Sequence, residues 1–159
     1  MHLDSANIIL LDPYEPEAEN LLGASDRYLG TLYPPESNHL ERQDGLSKAN
    51  VLFLGYRLDG QVVGCGAVKT LSDASGRYGE IKRLFIYDAF RGKGIGALII
   101  RALEMHLESE GVLICRLETG VKQPEALGLY NRLGYIVREH FGDYEPDPLS
   151  IFMEKKLDV

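Results

Sequence analysis

Glu80-Ile81-Lys82-Arg83-Leu84-Phe85-Ile86-Tyr87-Asp88-Ala89-Phe90-Arg91-Gly92-Lys93-Gly94-Ile95-Gly96 is the stretch from which the rest of the chain can be read. Its first half is rich in β-branched and aromatic residues and is bounded by Gly79 and Asp88, which predicts a strand opened by Glu80. From Ala97 to about Glu110, the apolar residues Leu98, Ile99, Ala102, Leu103 and Leu107 recur at spacings of three and four. That periodicity predicts a helix, stopped by Gly111. Between strand and helix stand Gly92, Gly94 and Gly96, with the cations Arg91 and Lys93 beside them. The first turn of a helix has backbone N–H groups without intrahelical partners and a partial positive charge. Glycines let a bulky anion approach that backbone. The segment Gly92, Lys93, Gly94, Ile95, Gly96 and Ala97 therefore reads as a phosphate cradle.

A second segment limits whose phosphate it is. Glu125-Ala126-Leu127-Gly128-Leu129-Tyr130-Asn131-Arg132-Leu133-Gly134-Tyr135 is a short helical pattern with a tyrosine in its middle and Gly-Tyr at its end. Arg91-x-x-Gly94-x-Gly96 resembles the pyrophosphate loop of the GNAT superfamily of acetyl-coenzyme A-dependent N-acetyltransferases, and the second segment resembles that family's Ala-x-x-x-Tyr helix. Two motifs in the family's order are far more specific than either alone. The resemblance covers roughly Val51 to Leu157 and is weak before that. It implies a mixed α/β (α+β) fold: a mostly antiparallel, splayed sheet of about seven strands with helices on both faces, spanning 1–159 as one domain.

The loop has a competing reading. Gly92-x-Gly94-x-x-Ala97 also fits a dinucleotide-binding fingerprint, with Glu118 about twenty residues on as a ribose-binding acid. In that fold the first glycine follows its strand closely, whereas here Asp88-Ala89-Phe90-Arg91 intervenes. The fingerprint also normally opens its domain. Here a hairpin-like block precedes it, and only about sixty residues follow, too few for the rest of a doubly wound sheet. A glycine-rich turn that binds nothing would leave the second motif unexplained.

Composition sets the outer bounds. The 159 residues, 45% hydrophobic and 26% charged, suit a single globular domain. No apolar run approaches the length of a membrane span. Met1-His2-Leu3-Asp4 lacks the basic, apolar pattern of a leader, so a cytoplasmic protein is expected. A formal charge of −7 argues against a nucleic-acid partner and suits a cationic acceptor. Cys65 and Cys115 sit in apolar patterns as buried thiols. Neither they nor His2, His39, His106 and His140 show metal-ligand spacing, so no metal is expected. Oligomeric state, a homodimer included, is left open.

Along the chain, Asn7 to Leu11 predicts a strand, and Pro16 to about Tyr33 a helix whose continuity Gly23 puts in question. Glu36 to Asn50 reads as a loop or short helix. Val51 to Leu58 and Gln61 to Leu71 form a hairpin about Asp59-Gly60, a pair suited to a type I′ turn. Leu71 to Gly79 reads as a polar loop. Val112 to Glu118 is a strand and Pro124 to Leu133 a helix with proline in its first turn. Tyr135 to Phe141 and Ser150 to Lys156 are the last strands, separated by a turn-rich loop.

The remaining expectations come from the resemblance. Arg91 and Lys93 would add charge to the pyrophosphate site. Main-chain groups of Leu84, Phe85 and Ile86, where the family's central strand splays from its neighbour, would bind the pantetheine arm and polarise the thioester. Tyr130 would protonate the departing thiolate; otherwise it is a helix tyrosine half-buried against the sheet. Gln123 stands where the family often has asparagine, so a contact to the pantetheine arm is lengthened or lost. Glu80 lies eleven residues before Arg91, an offset that resembles the catalytic glutamate of the histone-acetylating branch; otherwise it pairs with Lys82 or Arg83. Arg83 could instead bind an acceptor carboxylate. Glu36 to Asn50 would wall the acceptor pocket. The implied activity is acetyl transfer from acetyl-coenzyme A to a small-molecule primary amine. A protein or peptide acceptor, which would need an open groove, or a coenzyme A sensor without turnover, are the alternatives; a small acceptor predicts a pocket closed by Leu32 to Leu46 and Phe141 to Pro148.

Overall fold

The computed structural model describes residues 3–158. Met1 and His2, read above for a leader pattern and metal spacing, and Val159, the last residue of the expected domain, lie outside the described residues. Seven strands form one sheet: β1 (Ile8–Leu10), β2 (Val51–Leu58), β3 (Gln61–Asp73), β4 (Gly76–Ile86), β5 (Ile114–Gly120), β6 (Ile136–Arg138) and β7 (Ser150–Lys156). Their spatial order is β1-β2-β3-β4-β5-β7-β6. Only the β4–β5 pair is parallel; every other neighbour is antiparallel.

Helices cover both faces. The helix α3 (Ile95–Ser109) forms the β4–β5 crossover. It buries Ile99, Ile100, Leu103 and Leu107 completely against β2, β3 and β4. Each such side chain contributes roughly 1.5–3 kcal/mol by leaving water. α4 (Pro124–Arg132) packs Tyr130 into the same cluster. On the opposite face, α1 (Pro16–Leu32) and the short α2 (Gln43–Leu46) pack Ala18, Leu21, Leu22 and Leu46 against Phe53, Val62 and Ala67. Cys65 and Cys115 are both buried, as their apolar surroundings predict.

Several boundaries differ from the sequence reading. α1 runs unbroken through Gly23, because buried residues on either side of it outweigh the ~1 kcal/mol glycine penalty. Leu71 to Gly79 is not a loop. β3 continues to Asp73 and β4 begins at Gly76. The Asp73 carboxylate closes the tight turn by accepting from the Ser75 N–H at 2.8 Å and the Ser75 hydroxyl at 2.6 Å. This hairpin tip projects into solvent, so its polar composition mimics a loop. Glu80 is therefore well inside β4 rather than its first residue. β5 starts two residues later than predicted and ends two later, and β6 is shorter: Phe141 leaves the edge to pack on Tyr78 and Phe152. Glu36 to Asn50 contains a 3-10 turn at Pro35–Ser37 and α2. Asp59 and Gly60 both have positive φ, 52° and 78°, as a type I′ turn requires.

One buried charge ties α3 to the sheet. Glu104, 1% exposed, accepts from the Tyr135 hydroxyl at 2.8 Å and from Lys155 Nζ at 3.1 Å. The Tyr135 ring in turn rests edge-on against Tyr130, 6.0 Å between centroids. Tyr135→Phe removes one donor to a buried carboxylate and should lower stability by about 1.5–3 kcal/mol. Urea unfolding checks this; a midpoint and slope matching the parent protein would show that Lys155 and Arg101 satisfy Glu104 without the phenol.

Candidate active site

The parallel pairing of β4 with β5 lasts for three positions: Gly79↔Cys115, Glu80↔Arg116 and Ile81↔Leu117. Beyond Leu117, β5 stays on β7 as far as Gly120, while β4 stays on β3 as far as Ile86. The two strands part, and backbone between them is left without a strand partner. A bulge begins at the parting point. Cys65 faces Phe85 and Ala67 faces Lys82, so Arg83 and Leu84 together oppose Gly66. Arg83 has φ +58°, which costs a non-glycine residue about 1–2 kcal/mol. Its guanidinium is buried under α1, paired with Asp26 at 2.8 Å and donating to the Leu22 carbonyl at 3.1 Å. Arg83 is thus a strut between β4 and α1, and does not pair with Glu80. Its Nε is buried with no partner among the described residues.

On one side of the parting lies a cleft of about 470 Å³. Leu84, Phe85, Ile86, Arg91, Gly92, Gly94, Ile95, Gly96, Ala97 and Gln123 line it, together with Tyr28, Phe90 and the first turns of α4. The loop presents its backbone outward. Gly92 and Gly94 have φ of +78° and +92°, and a Cβ on either would meet open space. Leu98 N–H makes the first intrahelical bond, to the Gly94 carbonyl, so the N–H groups of Ile95, Gly96 and Ala97 have none. Arg91 folds back: its Nε donates to the Ile86 carbonyl at 2.9 Å and its guanidinium lies over the Tyr28 and Phe85 rings. The Ile86 carbonyl is therefore already occupied. Arg132 adds a cation and Glu125 an acid to the lining. Lys93 is exposed and does not line the cleft. The cradle, the positive helix end and the elongated cleft fit a phosphate-bearing arm.

On the other side is a smaller cavity of about 90 Å³. It shares Ser25, Leu29, Leu84 and Gln123 with the cleft, so the two meet at the parting of the strands. Gln123 sits at the start of α4, where its Oε1 accepts from the Tyr33 hydroxyl at 3.2 Å. Tyr33 also accepts from the Lys122 N–H at 3.0 Å and so joins the end of α1 to this turn. Tyr130, nearly buried, faces the cavity, and burial above all, with Glu118 nearby, raises the pKa of its phenol. Glu80 also faces the cavity. Its carboxylate accepts from the Tyr144 hydroxyl at 2.5 Å and lies 3.5 Å from Lys82 Nζ, so the alternative of pairing with Lys82 is realised. Lys82 further donates to Tyr144 at 2.9 Å and to the His39 carbonyl at 3.3 Å.

Three residues of this cavity were not singled out individually for this site from the sequence. Tyr33 and Tyr144 lie in the segments Leu32 to Leu46 and Phe141 to Pro148, expected only as walls of a small-acceptor pocket. The third, Glu118, entered the sequence reading only as a ribose-binding acid of the competing fold. Here it accepts from the Ser150 hydroxyl at 2.8 Å, and burial pushes its pKa up to about 7 against the lowering effects of Ser150 and Lys82. A signal did exist: Glu118 is the one carboxylate in the strand Ile114–Gly120, whose other charged residue is Arg116. Among the described residues, no group of three or more His, Cys, Asp or Glu is placed to hold a metal ion. No helix among them is long and apolar enough to cross a membrane.

Residues 17–135 match the model of the Acetyltransferase (GNAT) family. An IAA acetyltransferase of Azospirillum brasilense is 44% identical over 145 residues, covering 91% of this chain and 94% of the relative. A provisionally assigned acyl-CoA N-acyltransferase from Klebsiella pneumoniae superposes with a TM-score of 0.77 at 36% identity, covering 95% of this chain and 97% of that one. The PaiA N-acetyltransferase of Thermoplasma acidophilum, solved in complex with coenzyme A, has a TM-score of 0.70 at 20% identity, over 94% and 98% of the two chains, and so shares the fold.

Gly94→Asp sets bulk, negative charge and a disfavoured φ at the cradle. Coenzyme A should raise the melting temperature of the parent protein; nicotinamide dinucleotides should not. The variant should lose that response while keeping its far-UV circular dichroism. A full coenzyme A shift in Gly94→Asp would place the phosphates elsewhere.

Proposed function

The chain belongs to the GNAT acetyltransferase family, and from that membership we propose that it moves the acetyl group of acetyl-coenzyme A onto a primary amine of a small molecule, by direct attack in a ternary complex. The observation that carries the reading is the meeting of the glycine-loop cleft and the ionisable cavity at the parting of β4 and β5. A donor held along one side brings its thioester to Leu84 and Tyr130, and an acceptor enters from the other.

Acetyl-coenzyme A supplies an acyl group activated as a thioester. Backbone N–H groups from Gly92 to Ala97 hold its pyrophosphate, with Arg91 and the start of α3 adding positive charge. Main chain at Leu84 and Phe85, with Ile86 in the cleft wall, binds the pantetheine arm and polarises the carbonyl as charge develops there. Gln123 borders the same passage. Tyr130 donates to the sulfur as the C–S bond breaks; its raised pKa keeps the phenol protonated at neutral pH. An acyl-enzyme does not suit the thiols, because burial pushes both Cys65 and Cys115 up to about 12 and so removes the thiolate.

A small acceptor is favoured over a polypeptide by how the cavity is closed. Segments 37–40 and 144–149 meet over it: Ser37 donates to Asp147 at 2.8 Å, and the His39 ring stands edge-on to Tyr144 at 5.2 Å. This clasp spans the cavity and supports a small acceptor. An amine also suits the net charge of −7. A sensor without turnover would have no use for a phenol and ionisable carboxylates at the thioester end.

Screening an amine library for free-thiol release from acetyl-coenzyme A tests the reading, and release with small amines but not with peptides is the expected result. Tyr130→Phe should then lower kcat by ~10²–10⁴ without weakening coenzyme A binding. An unchanged kcat, with chemistry rate-limiting, would remove Tyr130 as the acid.

A further inference from the structure

We propose, resting on the acetyl-transfer reading, that Glu118 takes the proton from the acceptor amine and that Glu80, the expected base, is an anchor for the cavity's clasp. The geometry separates the two carboxylates. Glu118 is the first residue of β5 past the last β4–β5 pair, Ile81↔Leu117, so it stands at the mouth of the parting. It lines the same cavity as Tyr130. Its partner among the described residues is the Ser150 hydroxyl, a single neutral donor, and it makes no ion pair among them. Glu80 is committed: Tyr144 donates to it and Lys82 stands beside it, and the same two side chains tie β4 to His39 and the 144–149 segment. Glu80 is thus occupied in holding Tyr144 and Lys82.

The groups that face Glu118 come from every element around it. Glu80 and Lys82 lie on β4, Asp147 precedes β7, and the phenols Tyr33, Tyr130 and Tyr144 approach from α1, α4 and the clasp. His39 closes the far wall. Burial, with Glu80 and Asp147, outweighs Lys82 and Ser150 and places the titration near neutrality, where a base has both a usable ionised fraction and an affinity for protons.

The step balances. One proton leaves the ammonium for Glu118 and passes from it to solvent. The neutral nitrogen attacks the thioester carbonyl carbon, the C–N bond forms and the C–S bond breaks. Tyr130 protonates the sulfur, and the second nitrogen proton restores the phenol. One proton is released per turnover.

Two measurements on the intact protein test this. Carboxyl 13C NMR of glutamate-labelled protein should show one side chain titrating near pH 7, absent from Glu118→Gln and retained in Glu80→Gln. Thiol release from acetyl-coenzyme A with propylamine as probe acceptor should show kcat/KM of Glu118→Gln reduced ~10²–10⁴-fold at pH 7 and recovering as pH nears the amine's own pKa of ~10.4. Glu80→Gln should raise KM with the shape of the pH profile kept. Glu118 titrating in the ordinary carboxylate range, or a Glu118→Gln profile parallel to the parent's, would overturn the base assignment alone. Absence of thiol release by the parent protein with every amine would overturn the acetyl-transfer reading, and the base role with it.

Discussion

A parallel strand pair that stops after three positions is the constraint on which the rest of this molecule depends. Buried backbone N–H and C=O groups normally find partners, and two strands that part inside a sheet leave some without them. The cost is met by construction on both sides. β5 keeps full antiparallel register with β7, and β4 keeps its register with β3 apart from the bulge at Arg83 and Leu84. Arg83 is held in its unfavourable backbone conformation by Asp26 and the Leu22 carbonyl, so α1 acts as a strut against β4. Tyr33 at the other end of that helix braces the turn before α4. The opening is built into packed secondary structure, and the cleft and the cavity meet there.

The same geometry sorts the charges. On the glycine-loop side Arg91, Arg132 and the first turn of α3 outnumber one acid, Glu125. The other side gathers Glu80, Glu118 and the phenols of Tyr33, Tyr130 and Tyr144, with Lys82 and Arg83 among them. Within that second group, burial acts differently on each member according to its partners. Glu80 has a phenol and an ammonium; Glu118 has one hydroxyl. Two carboxylates on neighbouring strands thus have different partners, with no difference in residue type.

What could be read from the sequence is what local sequence specifies. The strand–loop–helix from Glu80 to Ser109, the turn at Asp59-Gly60 and the helix bearing Tyr130 depend on residues a few positions apart, and all three are present. The joint resemblance of the glycine loop and the Tyr130 helix to one family extended the reading to the splayed sheet. The misread parts depend on distant contacts. Residues 71–79 look like a loop because their side chains are polar, yet Arg116 from β5 pairs with Asp73 and helps fix the hairpin. Glu118 owes its raised pKa to burial, and the neighbours that adjust it, Ser150, Lys82 and Asp147, are about thirty or more residues away in sequence. Tyr144 lies sixty-four residues from the Glu80 it binds. No periodicity reports such contacts. Lys93, whose sequence neighbours suggest a phosphate contact, is exposed and is not among the residues lining the cleft.

The central claim is that the donor lies along the cleft with its sulfur at the parting of β4 and β5. A crystal structure of the coenzyme A complex measures this directly. The account predicts pyrophosphate oxygens on the backbone N–H groups of Gly92 to Ala97, the pantetheine arm beside Leu84 and Phe85, and the thiol sulfur within hydrogen-bond reach of the Tyr130 hydroxyl. A coenzyme bound with its sulfur away from Tyr130, or with its phosphates off the glycine loop, would contradict it.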